Sequence, residues 1–215
     1  MKLFQYWDTG EPPEEVAGWI DGYRVMNPEM KHRLYDRDRA SWFIGKHVGE
    51  RQRRAFEACA VPAMQSDYFR AAALLTKGGV YIDADCVGRR PLRELFDRVP
   101  YAAVLSFNGH LQLGLMMFRA PGDALIAAWL ERITRNVETS RGGDASVLTG
   151  PLAIREVIEE APAGSPVGLS VAKITPLPWS ETGAWVGLTD AAYKRGPRHW
   201  ENWRGSPYSA PPVQP

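Results

Sequence analysis

The sequence predicts an α/β fold, one layered domain built around a central sheet. Three observations carry this expectation. Strand-like and helix-like segments alternate from the first residues onward. The clearest helical segment runs through a Gly-Gly pair straight into the β-rich Val80-Tyr81-Ile82. A chain of 215 residues, 45% hydrophobic and 24% charged, has the size and composition of one globular domain with a sizeable core.

Residues 2–7 read as a short buried strand that ends at the turn-rich Asp8-Thr9-Gly10. Pro12-Pro13-Glu14-Glu15 starts a helix, with prolines preset for its first turn and acids facing the positive end of its dipole. Val16, Trp19, Ile20 and Tyr23 give that helix one apolar face, and it stops near Asn27-Pro28. A second strand follows over 31–35, then a mostly helical, arginine-rich stretch over 36–59. Pro62 opens the best-defined helix, carrying Met64, Phe69, Ala72, Ala73 and Leu75 to about Lys77, where Gly78-Gly79 ends it as a left-handed cap. Strands are expected over 102–107 and 113–119, and helices over 123–137 and 149–160. From about Pro162, short strands mix with Trp- and Pro-rich loops, and 206–215 reads as a loose, Pro-rich tail after a domain over 1–205. In such folds the ends of the sheet strands carry the site.

A formal charge of +1 without runs of like charge excludes a nucleic-acid footprint. The N-terminal Met1–Asp8 stretch is too short and polar for a signal peptide, and no segment reaches the roughly 18–20 apolar residues of a membrane span. Peripheral membrane association stays open. Two cysteines, Cys59 and Cys86, make neither a metal cluster nor a disulfide scaffold, so a cytoplasmic location is expected. Eight tryptophans are a rich supply; most should be core, but flat aromatic faces also suit sugars and nucleobases.

The chemistry concentrates in Gly78-Gly79-Val80-Tyr81-Ile82-Asp83-Ala84-Asp85. In an extended segment side chains alternate, so Asp83 and Asp85 are expected to point the same way, with Ala84 opposite. Two carboxylates at a strand end repel one another, and a divalent cation with oxygen preference, Mg²⁺ or Mn²⁺, neutralises both while keeping places for phosphate oxygens. Such an ion suits a diphosphate leaving group. Upstream, Asp67 and Arg70 stand three residues apart on one helix face, where they pair or flank a ligand.

Ser66-Asp67-x-x-Arg70, then Leu75 and Gly78-Gly79-Val80-Tyr81-Ile82-Asp83-x-Asp85, resembles the sugar-binding region of DXD-containing glycosyltransferases, glycosyltransferase family 32. That family includes the yeast initiating α-1,6-mannosyltransferase and bacterial capsular polysaccharide enzymes, and the glucosylating clostridial toxins carry a related core. Phe4-Gln5-Tyr6-Trp7 with Gly10-x-Pro12-Pro13, Asn27-Pro28-Glu29, Thr149-Gly150-Pro151 and His199-Trp200-x-x-Trp203 are similar to further elements of the family. The likeness is densest between Asp67 and Asp85.

The resemblance implies a GT-A-type, Rossmann-like nucleotide-sugar-binding fold with a mixed central sheet. It also implies retaining sugar transfer with Mn²⁺ or Mg²⁺. Asp85 would bind the metal directly, and Asp83 would contact the ribose and reach the metal through water. Asp67 and Arg70 would hold the donor sugar. Gln5, Tyr6 and Trp7 would line the base pocket, with Tyr6 or Trp7 stacking on the base. His199 would complete the metal or diphosphate site, with Asn202 as the alternative ligand, and Trp203 would close over it. The donor would be a UDP-sugar or GDP-mannose, and the acceptor a glycan or small molecule in bacterial surface polysaccharide synthesis.

Plainer readings stand beside these. Trp7 in an apolar strand also fits core packing, and Gly150-Pro151 also fits a simple helix start. Asn108, His110, Gln112 and Asp144 are weak acceptor-side choices, Arg89-Arg90 fits solvent better than phosphate, and Cys86 reads as packing. Two other functions remain: a metal-dependent phosphoesterase using the same acids, or a non-catalytic nucleotide-sugar-binding domain.

Overall fold

The structure, a computed structural model, describes residues 1–107, 110–139, 143–196, 199 and 202. Its elements run β1 (Lys2–Tyr6), α1 (Glu14–Met26), β2 (Lys31–Tyr35), α2 (Arg37–His47), α3 (Glu50–Ala58), α4 (Pro62–Lys77) and β3 (Gly79–Ile82). They continue with β4 (Val87–Gly88), α5 (Leu92–Phe96), β5 (Ala102–Phe107), β6 (His110–Phe118), α6 (Ala124–Thr139), α7 (Ala145–Leu148) and α8 (Pro151–Glu160). Last come α9 (Pro166–Val171), β7 (Ile174–Pro178), α10 (Trp179–Thr182), β8 (Val186–Gly187) and a 3₁₀ turn, Ala192–Arg195.

Six strands form one mixed sheet in the order β2-β1-β3-β6-β5-β7, and β4 pairs with β8 in a separate ribbon. Strands β2, β1 and β3 are parallel; β6 runs against both β3 and β5, and β7 is parallel to β5. The period of two along each strand sorts side chains onto two faces. Phe4, Tyr6, Tyr81, Val104, Met116 and Phe118 pack with helices α2, α3, α4, α6 and α8. Leu3, Val80, Ile82, Leu105, Leu115 and Met117 pack on the other face against α1, α5 and the Trp185 region. Helices therefore cover both faces, as the alternating pattern required.

Helix α4 is buried along most of its length, and the run Ala71-Ala72-Ala73 lets it lie close to its neighbours. Pro62 occupies its first turn, where a missing N–H costs nothing. At the other end Gly78 N donates to Leu74 O at 3.0 Å, with φ of 57° at Gly78 and 105° at Gly79. The positive φ agrees with the sequence expectation, but the Gly78 ψ of −169° makes an extended exit and not a left-handed helical cap. This exit puts the chain at once into β3, beside β1.

The first half follows the sequence reading closely. The rest departs in places. Strand β6 starts at His110 and not at 113, because it keeps pairing with β5 past a register shift between Val104 and Leu105. Helices α7, α9 and α10, and the ribbon β4–β8, carry too few residues to show a period. Residues 206–215 and Trp203 lie outside the described residues.

A Cβ at Gly79 would stand 2.6 Å from Lys2 O in the neighbouring strand, at a φ that L-residues rarely adopt. Gly79→Ala should therefore cost about 2–4 kcal/mol of unfolding free energy, read from denaturant titration.

Candidate functional site

The site begins with a buried guanidinium. Arg70, only 5% exposed, points from α4 toward the end of β3. Its Nη2 donates to Asp83 Oδ1 at 2.9 Å and to Ser66 Oγ at 2.7 Å, and lies 3.5 Å from Asp67 Oδ1. Helical spacing brings Ser66, Asp67 and Arg70 onto one face. The guanidinium carbon also sits 4.5 Å over the Tyr81 ring, whose hydroxyl is 2.7 Å from Ser66 Oγ. An unpaired buried charge is very costly, so two carboxylates and a π-face keep Arg70 ionised where it is.

Burial pushes the Asp67 carboxyl up to about 6, against the pull of Arg70 and a hydrogen bond from Thr149. Burial likewise raises Asp83; Arg70 opposes this and the charge of Asp85 adds to it.

Asp83 and Asp85 do not lie on one extended strand. β3 ends at Ile82, and Cys86 N donates to Asp83 O at 3.1 Å, so Asp85 belongs to a tight turn. That turn is held from far along the chain. Thr189 Oγ1 donates to Asp85 O at 2.7 Å, Tyr193 Oη to Asp85 Oδ2 at 2.7 Å, and Lys194 Nζ lies 2.8 Å from the same oxygen. Each acid of the pair thus has its own cation, Arg70 for Asp83 and Lys194 for Asp85. Sequence reasoning missed Tyr193 and Lys194, because nothing local marks residues that pair with a turn about a hundred positions earlier.

The β1 residues divide by strand parity. Tyr6 is 5% exposed, its ring tilted on Phe69 and edge-on to Phe56, and its hydroxyl donates to Gln65 Oε1 at 2.7 Å. This corrects its expected place as a stacking platform: it faces the α4 side of the core. Trp7 lies on the opposite parity, half-buried, with Tyr193 edge-on at 4.9 Å between ring centres. Gln5 is fully buried with its Oε1 2.8 Å from His32 Nε2. Burial pulls His32 down to about 4, so its imidazole is neutral.

His199 stands edge-on to Tyr193 at 6.0 Å. Among the described residues, no three His, Cys, Asp or Glu side chains gather as a metal site. Asn202 spends its amide nitrogen on the carbonyls of Lys194 and Gly196, at 2.8 and 3.2 Å. Two carboxylates remain. That set fits Mg²⁺ or Mn²⁺, hard ions commonly held by one or two carboxylates with substrate phosphates and water filling the shell.

Other singled-out residues have structural work. Asp144 caps α7 through Ser146 N at 2.7 Å. Arg89 donates to Gly183 O at 2.9 Å, while Arg90 pairs with Glu94 and lies over Trp185. Cys86 is buried, and burial raises its thiol well above the usual range, which argues against a nucleophile. A surface groove of about 790 Å³ between α2 and α3 shares no lining residue with the carboxylate cluster.

Residues 13–102 match the family model described as the glycosyltransferase sugar-binding region containing the DXD motif. The initiation-specific α-1,6-mannosyltransferase of Schizosaccharomyces pombe is 26% identical over 100 residues, taking in 44% of this chain and 24% of that protein. The chain thus spans about a quarter of the length of that relative. Among solved structures, the PaToxG glycosyltransferase superposes with a TM-score of 0.58 at 15% identity, over 95% of this chain and 85% of that one. The ligand-free glycosyltransferase domain of the YGT toxin gives 0.56 at 9% identity, over 82% and 79%. At these identities the two structures speak for a shared fold, the GT-A-like arrangement expected from the sequence.

The raised Asp67 carboxyl carries a pH signature. Its folded value of about 6 exceeds its unfolded value, so the stability it contributes is complete below about pH 4 and lost as pH rises through 6. Wild type should lose roughly 3 kcal/mol more than Asp67→Asn between those limits, as read by unfolding titrations at several pH values.

Proposed function

We propose that this chain, which carries the DXD-containing glycosyltransferase sugar-binding region, moves a sugar from a nucleotide-sugar donor with the help of a divalent metal. The family match and the Schizosaccharomyces pombe relative support the glycosyltransferase class, and both structural neighbours share the fold. The reading goes further, to a retaining transfer from a UDP-sugar or GDP-mannose onto a glycan or small-molecule acceptor.

The observation that carries it is the placement of Arg70 between Asp67 and Asp83, with Asp85 beside them on the adjoining turn. Asp85 and Asp83 would hold Mn²⁺ or Mg²⁺, with Asp83 also reaching the ribose. When bound, such an ion neutralises charge that builds on a departing diphosphate. The protein's own groups do the orienting. Asp67 accepts from sugar hydroxyls, and Arg70 keeps its carboxylate turned toward them. Trp7, the half-buried aromatic just past the end of β1, offers its face to the base. Lys194, already at Asp85, adds positive charge where diphosphate oxygens would lie.

The location and pathway are the outer part of this reading: cytoplasmic, in assembly of a bacterial surface polysaccharide. No helix among the described residues is long and apolar enough to cross a membrane, and both cysteines are free and buried. A domain over 1–205 with a short tail belongs to the same reading.

Asp85→Asn should abolish the Mn²⁺-dependent thermal stabilisation by UDP or GDP, while wild type shows it. Undiminished stabilisation and turnover in the variant would exclude the metal role, and attack on generic phosphate esters would favour a phosphoesterase. Arg70→Lys keeps the charge but loses the fork that spans two carboxylates, so kcat/KM for nucleotide-sugar cleavage should fall about tenfold or more. Arg70→Ala is the poorer test, because it leaves buried carboxylates uncompensated.

A further inference from the structure

Asp67 is aimed by a residue from the far half of the chain. Thr149, fully buried in the short link between α7 and α8, places its Oγ1 2.9 Å from Asp67 Oδ2, across 82 positions of sequence. The hydroxyl has one proton to give. Its other neighbour, Ala145 O at 3.2 Å, already accepts from Thr149 N and Gly150 N at 3.0 Å each, which leaves the hydroxyl proton for the carboxylate. The link itself is clamped by α6: Trp129 Nε1 donates to Thr149 O and Asn136 Nδ2 to Leu148 O, both at 3.0 Å. Close approach is built in at the next residue, where a Cβ on Gly150 would lie 3.2 Å from Asp67 Oδ2 and 2.9 Å from Ser146 Cα.

We propose that Thr149 is a positioning residue: it fixes the Asp67 carboxylate, with Oδ2 held from behind and Oδ1 turned toward Arg70, so that Asp67 meets the donor sugar already oriented. The inference rests on the reading of Asp67 as a sugar-binding group. It gives the Thr149-Gly150-Pro151 motif a function, with the hydroxyl at 149, the missing side chain at 150 and the helix start at 151 each doing one part. The α6 clamp makes the aim rigid, since Trp129 is itself fully buried.

The test compares wild type, Thr149→Val, Thr149→Ser, Asp67→Asn and the double variant Asp67→Asn/Thr149→Val. Calorimetry with Mn²⁺ measures UDP-glucose against UDP, and GDP-mannose against GDP. Thr149→Val should bind the free diphosphates as wild type does and lose about tenfold in affinity for the nucleotide sugar, as expected for one hydrogen bond to a charged group. Thr149→Ser should restore most of that loss, Asp67→Asn should lose at least as much, and the double variant should be no worse than Asp67→Asn. Wild-type sugar affinity in Thr149→Val, beside a loss in Asp67→Asn, overturns the proposal.

If Asp67→Asn keeps its sugar affinity, or wild type binds neither sugar better than its diphosphate, the sugar-binding reading of Asp67 fails instead. The aiming contact is then decided without ligand. Arg70 and Asp83 are the titratable groups acting on Asp67, and Asp67 in turn acts on the buried Cys59. A hydrogen bond to the ionised carboxylate makes the melting-temperature gap between wild type and Thr149→Val wider at pH 8 than at pH 5, and removes that difference in the Asp67→Asn background. An equal gap at both pH values overturns the contact's role.

Discussion

A guanidinium buried where a central helix meets a central strand is the constraint on which the site depends. Arg70 cannot be hydrated there, so its charge must be balanced by side chains in fixed positions. Asp67 does this from the same helix and Asp83 from the end of β3, which ties α4 to the sheet. Neither acid belongs to a surface pair that salt would screen away, unlike the exposed Arg24–Asp21 or Arg93–Asp97 contacts. Tyr81 and Ser66 close the remaining side of the guanidinium. The result is a pair of carboxylates whose geometry is set before any ligand arrives.

Charge balance then explains the turn that follows. Three carboxylates, Asp67, Asp83 and Asp85, face two fixed cations, Arg70 and Lys194, which leaves one negative charge in excess when all are ionised. Burial raises Asp67 and Asp83 because it takes each ionised carboxylate away from water, and a neighbouring carboxylate adds to this in both. A cluster with this balance attracts a cation, and with a divalent ion added it becomes attractive to a diphosphate. The same electrostatics therefore suit the proposed binding of metal and nucleotide.

Much of this was legible in the sequence, and the reasons are local. Pro62 and Gly78-Gly79 bracket α4, and the Asp67–Arg70 spacing is helical, so the whole segment from helix to acidic turn could be read without tertiary knowledge. Strand β2 was equally plain. Alternation also held the information that Tyr6 shares a face with Phe4, yet the resemblance to a base-binding strand outweighed it, and the structure puts Tyr6 in the core. What the sequence hid is non-local. The ribbon β4–β8 has two residues per strand, and Tyr193 and Lys194 sit on a 3₁₀ turn whose relation to Asp85 exists only after folding. Thr149 was visible as part of a motif, but its partner 82 residues away was not.

Sheet order supplies the last link between fold and function. Strand β1 has β2 on one side and β3 on the other, and in open α/β sheets ligands bind at the carboxyl ends of strands where the connections diverge in this way. Leu3 pairs with Val80 and Phe4 with Tyr81, and the same parallel register carried forward sets the Trp7 end of β1 beside the Asp83–Asp85 turn. An aromatic side chain and a charged cluster thus stand at the same end of the sheet, where the proposed nucleotide would find a partner for its base and for its phosphates. Tyr193 spans the gap, with its ring on Trp7 and its hydroxyl on Asp85. A single side chain from the far end of the chain therefore ties Trp7 to the acidic turn.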